Sequence, residues 1–330
     1  MRLIVTGAHG FIGTWATAEL RRRGHEVLTV GINTPSRMPR PEARYDGILS
    51  IDRPGEDFAV LLADWRPDGI LHLAGTVDAS KPEKLFALNA GYAAILLEAL
   101  ARSEFRRCPL VLVGSAAEYG PLPNSLVPLD ETAPTEPRSL YGISKLAQSR
   151  IGLAAARCGQ PVVVARPFNV IGAGMPSMLS LPSFAQRIAA ADTMGRPLPA
   201  GNLNAVRDFI SVQSTAEALA TLLECPGIHG RVVNLCGGRP YRIGDVVDRM
   251  IHLSGKAVNA DISNSCDGMT DIAYGDPSLA ASLTGWRAPP LRDADLLAVM
   301  REHGCPLGNG EEDAPVPVLQ SSAIPFQPTP

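Results

Sequence analysis

Leu3-Ile4-Val5-Thr6-Gly7-Ala8-His9-Gly10-Phe11-Ile12-Gly13 decides the reading of the fold. Leu3 to Val5 is a short, β-branched apolar run, and a helical pattern opens at Phe11. A glycine-rich turn therefore joins a first strand to a first helix. In that setting Gly7 permits the tight turn, Gly10 lets the backbone approach a pyrophosphate, and Gly13 lets the helix pack on the strand. The helix N-terminus adds amide donors and a partial positive charge for the phosphates. The stretch predicts a dinucleotide-binding loop in which Gly7, His9, Gly10, Phe11, Ile12 and Gly13 meet the cofactor. His9 reads as a loop residue beside the cofactor rather than as a catalyst.

Outward from this loop, short apolar runs at 27–30, 48–51, 70–73, 110–113 and 162–164 read as strands buried on both faces. Helical patterns lie between them at about 11–23, 57–65, 83–103 and 139–157. The alternation predicts an α/β fold, a Rossmann-type doubly wound parallel sheet whose ligands sit at the carboxyl ends of the strands. Past Arg166 the rhythm breaks into Pro- and Gly-punctuated sequence, with helices near 184–192, 214–224 and 243–254 and strands near 207–212 and 231–236. We expect a dinucleotide domain at 1–166 and a smaller C-terminal α/β substrate lobe at 167–305, some of whose segments return to the sheet. The tail at 306–330 is Pro-rich and reads as an extended or mobile arm.

Composition narrows the function. The chain has 330 residues, 45% hydrophobic and 19% charged, with a formal net charge of -3. That is ample for a core and excludes wholesale disorder. Asp plus Glu (33) slightly exceed Lys plus Arg (30), which argues against a nucleic-acid partner. No uninterrupted apolar run suggests a membrane span. The N-terminus runs straight into the strand-and-turn pattern without a cleavage site, so the expected location is the cytoplasm. Cys108, Cys158, Cys225, Cys236, Cys266 and Cys305 include no C-x-x-C pair, so no metal site is expected and most read as small buried hydrophobes.

The second strand ends at Gly31, where an NAD site would carry Asp or Glu for the adenine ribose hydroxyls. Arg37 and Arg40 follow and are placed to meet a 2′-phosphate, which favours NADP(H) with NAD(H) as the alternative. A pair of surface charges in a loop would look the same. Asp52, ending the third strand, reads equally as an adenine contact or a surface-loop residue.

Tyr141-Gly142-Ile143-Ser144-Lys145 is Y-x-x-x-K on a predicted helix, which sets both side chains on one face. An ammonium near a phenol lowers its pKa, so the tyrosine could exchange a proton with a substrate oxygen. Ser115 follows the fifth strand and brings a hydroxyl to the carboxyl end of the sheet. Arg21-Arg22-Arg23 reads as a solvated helix end, Trp286 as a packing residue, and 175–183 as a loop over the substrate.

TGAHGFIG, the serine after strand five and YGISK together resemble the extended short-chain dehydrogenases/reductases, most of which act on nucleotide sugars. The resemblance runs from Met1 to about Met300 and includes His72-Leu73-Ala74-Gly75, Asn89, Arg166-Pro167-Phe168-Asn169 and Gly285-Trp286. Residues 201–209, GNLNAVRDF, are similar to a segment of GDP-mannose 4,6-dehydratases and GDP-4-keto-6-deoxy-mannose reductases. The resemblance implies that Ser115 and Tyr141 bind the reacting oxygen and that Lys145 holds the nicotinamide ribose and tunes Tyr141. It implies further cofactor contacts from Leu73, Ala74, Gly75 and Asn89. Substrate contacts would come from Ser115, Ala116, Asn169, Asn202 and Arg207, with Asn169 and Arg207 on the diphosphate. A homodimer, through the helices carrying Ala93-Ala94 and Ala154-Ala155-Ala156, is implied as well.

Two departures shape the expected activity. Dehydratases of this group place an acidic residue two positions after the hydroxyl residue; here that position is Ala117, and Glu118 comes one place later. Loss of a general base costs about 10²–10⁴ in rate. An Arg-Pro pair usual upstream of Gly-Trp is replaced by Cys266-Asp267, so Arg239 or Arg242 would have to take over, or the substrate is not a standard sugar nucleotide. The expected function is an NADP(H)-dependent reductase of a GDP- or dTDP-linked 4-keto-6-deoxyhexose. The alternatives are a nucleotide-sugar epimerase holding NAD and a catalytically silent dinucleotide sensor.

Overall fold

Leu3, Ile4 and Val5 are wholly buried in β1 (Arg2–Thr6), the strand on which the sheet is built. The computed structural model describes residues 1–33, 47–50, 54–120, 122–123, 127–191, 202–258, 271–308 and 313–319. Arg37, Arg40, Asp52 and Cys266 lie outside the described residues. After β1 come α1 (Phe11–Arg22), β2 (Glu26–Asn33), β3 (Gly47–Ser50), α2 (Pro54–Trp65) and β4 (Gly69–His72). Next, α3 (Pro82–Phe86) runs through a π turn at Ala87–Gly91 into α4 (Tyr92–Ala101), then β5 (Leu110–Val113) and a 3-10 turn at Ala116–Glu118. β6 (Leu122–Pro123), α5 (Leu140–Arg157), β7 (Val162–Pro167), β8 (Asn169–Ile171), α6 (Ser180–Ala190), β9 (Val206–Arg207) and β10 (Phe209–Ser211) follow. The chain continues through α7 (Val212–Glu224), β11 (Val232–Leu235), β12 (Tyr241–Arg242), α8 (Ile243–Ser254), β13 (Asp271–Ala273), α9 (Ser278–Thr284) and α10 (Asp293–Glu302).

Seven strands pair in the order β11-β7-β5-β4-β1-β2-β3, all parallel. The order reverses between β1 and β4, and Thr6 lies opposite His72 at their carboxyl ends. A crevice opens where strand order reverses in such sheets. The two faces follow from the two-residue period of the strand. Leu3 and Val5 pack under α1 and α7 with Leu20, Leu219 and Leu223, whereas Ile4 packs on the other face with Phe58, Leu62, Leu96 and Leu97. Burying each such side chain contributes roughly 1.5–3 kcal/mol. Both β11 and α7 come from beyond residue 167 and join this sheet and its helical layer.

The remaining strands are short. β8 and β10 pair in parallel, and β12, β9, β13 and β6 form a mixed four-stranded sheet. The strand expected near 207–212 appears as β9 and β10, whereas β6, β8, β12 and β13, of two or three residues each, are too short to show a hydrophobic period, and the sequence reading did not single out α9 and α10. A separate core made by Phe184, Ile188, Val247, Met250, Leu296 and Met300 holds α6, α8 and α10 together.

Three expectations change. The stretch Pro82–Ala101 is, at 20 residues, long and apolar enough by length and composition to cross a membrane. Counting uninterrupted apolar runs missed it because Glu83, Lys84 and Glu98 break the run. In this fold it connects β4 to β5, with Leu85, Ala93, Leu96, Leu97 and Leu100 buried. Arg21-Arg22-Arg23 is not simply solvated: Arg23 joins Glu19 at 2.7 Å and Glu224 at 2.6 Å, bracing α1 against α7. The C-terminal tail is partly docked. Val316 is buried in the lobe core, and its N–H donates to the Leu291 carbonyl, because its side chain covers apolar surface there.

Candidate active site

The turn after β1 is built to admit an anion. Gly7 has φ +69°, and a Cβ there would lie 2.7 Å from the Ala74 nitrogen. A Cβ on Gly13 would lie 2.1 Å from the Gly7 carbonyl oxygen, so only glycine lets α1 start this close to the strand. Gly10 caps α1 with no side-chain cap hydrogen bond, and the first turn contains no acidic residue. His9 and Gly10 are exposed and Phe11 and Ile12 half-buried. An uncapped helix start in a glycine cradle fits the pyrophosphate of a dinucleotide.

Across the switch point, Thr6 Oγ1 lies 2.9 Å from His72 Nδ1 and accepts from the Ala74 N–H at 3.2 Å. Ala74 is thereby buried while Leu73 is half-buried and Gly75 exposed. Burial pushes His72 down to about 3, and the Lys145 charge adds to this, so the ring is neutral. Asn89 sits in the π turn, wholly buried. Its amide is used within the protein: Oδ1 accepts from the Thr76 N–H at 2.7 Å, and Nδ2 donates to Thr76 O and to Ser144 Oγ at 2.8 Å. The side chain thus ties the loop after β4 to α5, beside Gly75.

Ser139 Oγ accepts the Gly142 N–H at 3.0 Å and so starts α5, which sets Tyr141 in its first turn and Lys145 one turn on. A Cβ at Gly142 would come 2.4 Å from the Ala117 carbonyl; the glycine inside YGISK is what lets α5 reach the turn after β5. There Ser115 hydrogen-bonds the Tyr141 phenol. Lys145 Nζ donates to Val113 O and, at 2.7 Å, to Gln148 Oε1. Burial lowers Lys145 to about 8, opposed by the Glu118 charge. The lowered tyrosine pKa expected from the Y-x-x-x-K spacing is not found: burial pushes the phenol up, the Ser115 hydrogen bond opposes this, and Glu118 adds to the rise. Lys145 is directed at a carbonyl and an amide oxygen, so its charge does not decide the phenol's state.

Glu118 is wholly buried and turned away from the crevice. Its Oε1 accepts from Ser115 N–H at 2.9 Å and Ser149 Oγ at 2.8 Å, and Oε2 accepts from Arg166 Nε at 2.8 Å. Ala116 and Ala117, which follow Ser115, are both half-buried, and Ala116 packs against Tyr119 and Phe168.

A groove of about 470 Å³ brings together Asn169, Asn202 and Arg207, and also Phe184, Arg187 and Asp271, which the sequence reading did not single out. The segment Val206-Arg207-Asp208-Phe209 alternates along its strands. Arg207 lines the groove and pairs with Asp271, while Asp208 turns inward to accept N–H groups of Gly237, Gly238 and Gly275. Asn169 Nδ2 donates to the Asp208 carbonyl at 2.8 Å. Neither Arg239 nor Arg242 lines this groove. Arg239 donates to the carbonyls of Gly237 and Ala288, and Arg242 pairs with Asp245 at 3.3 Å. Arg187 supplies the second cation instead; its position four residues after Ser183, on the polar side of α6, was the available sequence signal. The loop before α6 is pinned rather than free at its start, because Trp15 Nε1 donates to Ala173 O and His303 Nε2 contacts Met175 O. Trp286 packs on the sheet core as expected.

Fold and crevice together define a Rossmann-type, NAD(P)-dependent enzyme. The chain belongs to the NAD dependent epimerase/dehydratase family, whose model matches residues 3–236. It is 30% identical over 261 residues to GDP-6-deoxy-D-mannose reductase of Pseudomonas aeruginosa, covering 77% of this chain and 80% of that one. It is 32% identical over 280 residues to UDP-glucose 4-epimerase of Streptomyces lividans, covering 78% and 82%. The structure of RMD from Pseudomonas aeruginosa complexed with NADPH superposes with a TM-score of 0.76 at 26% identity, covering 92% of this chain and 97% of that chain. The protein is thus a nucleotide-sugar-modifying enzyme of the extended short-chain dehydrogenase/reductase type.

Proposed function

We propose that the protein is an NADP(H)-dependent reductase of a nucleotide-linked 4-keto-6-deoxyhexose. The observation that carries this reading is Glu118. Glu118, the carboxylate in the turn that carries Ser115, is buried against Arg166, and Ala117 stands where a dehydratase base is needed. Carbonyl reduction requires an acid and a hydrogen-bond donor, and Tyr141 with Ser115 supplies both.

Gly7, Gly10, Phe11, Ile12 and Gly13 would hold the pyrophosphate, and Lys145 the nicotinamide ribose, with Arg37 and Arg40 on the 2′-phosphate. The reduced nicotinamide, when bound, supplies hydride to the ketone carbon. Tyr141 gives its proton to the oxygen as negative charge develops, and Ser115 Oγ donates to the same oxygen. A phenol whose pKa burial has raised keeps its proton at neutral pH, which suits an acid. Asn169, Asn202, Arg187 and Arg207 would hold the nucleotide diphosphate. A homodimer through the outer faces of α4 and α5 belongs to the same reading, and light scattering tests it.

The deciding experiment compares NADPH with NADH oxidation against GDP- and dTDP-linked 4-keto-6-deoxyhexoses, with product identification. NADPH-dependent loss of the ketone is the expected result. Silence with every donor sinks the reading. The similarity to a UDP-glucose 4-epimerase supports a second one, in which NAD stays bound through purification and sugar epimers interconvert without net cofactor turnover.

A further inference from the structure

We infer that Glu118 is a positioning residue: its buried carboxylate clamps the Ser115 turn to the face of α5 that carries Tyr141 and Lys145, and so sets the spacing of the reacting hydroxyls. The inference rests on the carbonyl chemistry assigned above to Ser115 and Tyr141, not on any particular sugar.

The connection is direct. Glu118 Oε1 accepts from the Ser115 backbone N–H and from Ser149 Oγ. Tyr141, Lys145 and Ser149 are spaced i, i+4 and i+8, so they share one face of α5. A single carboxylate oxygen thus bridges the backbone of one reacting residue and the helix face bearing the others. Its second oxygen is held by Arg166 Nε on β7, whose guanidinium lies 4.7 Å over the Tyr119 ring. The Tyr119 hydroxyl donates to Asn234 Oδ1 at 2.7 Å on β11, and Asn234 N–H donates to Glu131 Oε1. The turn after β5 is therefore fastened to α5, β7 and β11 together. Burial raises the pKa of Glu118 itself, opposed by the Arg166 charge; in its ionised form the carboxylate raises both Tyr141 and Lys145. The other charged or titratable groups around this cluster are Arg166 on β7, Tyr119 in the turn, Glu131 before α5, and neutral His72 on β4.

A misplacement on the order of 1 Å between reacting groups costs about a hundredfold in rate. Glu118→Gln is expected to lower kcat by roughly tenfold or more while KM and NADPH affinity change little. With the negative charge removed, the Tyr141 phenol ionises at lower pH, and the basic limb of the kcat profile moves down with it. Glu118→Gln leaves Arg166 without its counter-charge, so Glu118→Gln/Arg166→Met and Ser149→Ala are measured beside it. Ser149→Ala removes one hydrogen bond and no charge; it is expected to lower kcat without moving the pH limb. An unchanged kcat and pH limb in folded variants, with only the melting temperature lowered, overturns the inference. The phenol is also titrated without substrate, by 13C-tyrosine NMR with Tyr141→Phe as the assignment. A downward shift in Glu118→Gln supports the inference even if no 4-keto sugar is turned over; the same titration in both proteins overturns the electrostatic part.

Discussion

Arg207 is held by Asp271, through both its side chain and its backbone carbonyl, on the wall of the groove that also contains Asn169 and Arg187. The carboxylate occupies the guanidinium that a diphosphate would need, so the two compete. Asp271→Asn should lower the KM for a nucleotide sugar and steepen its salt dependence. Arg207→Ala should raise KM roughly ten- to hundredfold, the equivalent of losing about 1.5–3 kcal/mol from a charge-assisted hydrogen bond. Steady-state kinetics at two salt concentrations checks both. An Asp271→Asn protein with weaker binding would reverse the argument.

Tyr141→Phe removes the proposed proton donor and leaves the ring packing. Turnover should fall by about 10²–10⁴ while NADPH binding, read by fluorescence titration, stays nearly unchanged. Loss of both to a similar extent would remove the acid role.

The proposed role of Lys145 on the nicotinamide ribose makes cofactor binding depend on pH. Burial lowers its pKa to about 8, so it is charged below that pH and neutral above it. NADPH affinity should therefore fall as pH rises through about 8. Lys145→Met should bind weakly throughout and lack this transition. An affinity in the wild type that stays flat across this range contradicts the role.

Gly13→Ala tests the cradle after β1. The added methyl would meet the Gly7 carbonyl at 2.1 Å, and both groups are backbone-anchored. The expected cost is on the order of 1–3 kcal/mol of stability, with loss of dinucleotide binding. Thermal melts with and without NADPH separate the two effects; an NADPH-induced rise in Tm equal to that of the wild type counts against the site.

The proposed preference for NADPH assigns the 2′-phosphate to Arg37 and Arg40, which lie outside the described residues. Replacing both with Ser should reduce the preference for NADPH over NADH by about tenfold, roughly 1.4 kcal/mol. Equal effects on the two cofactors would assign the arginines to the loop surface.

Much of this architecture is readable from local pattern. The glycine turn between Val5 and Phe11, the buried runs that become β1, β4, β5 and β7, and the Y-x-x-x-K spacing on α5 each depend on neighbours a few residues away. Period and turn chemistry specify them before any tertiary contact forms. Ser115 and Tyr141 could be named for the same reason, since each stands at a fixed offset from an element that the pattern reveals.

Long-range contact decided the rest. No local rule distinguishes Glu118 facing a substrate from Glu118 buried against Arg166; the answer depends on β7 lying beside β5. The phenol's pKa followed burial rather than the neighbouring lysine, because desolvation is a property of the assembled protein. Arg187 and Asp271 reach one groove from segments more than eighty residues apart, and Val316 turns from an expected mobile arm into lobe core. Sequence spacing sets which groups share a helix face, whereas packing between distant elements sets their partners, their solvent and hence their charge.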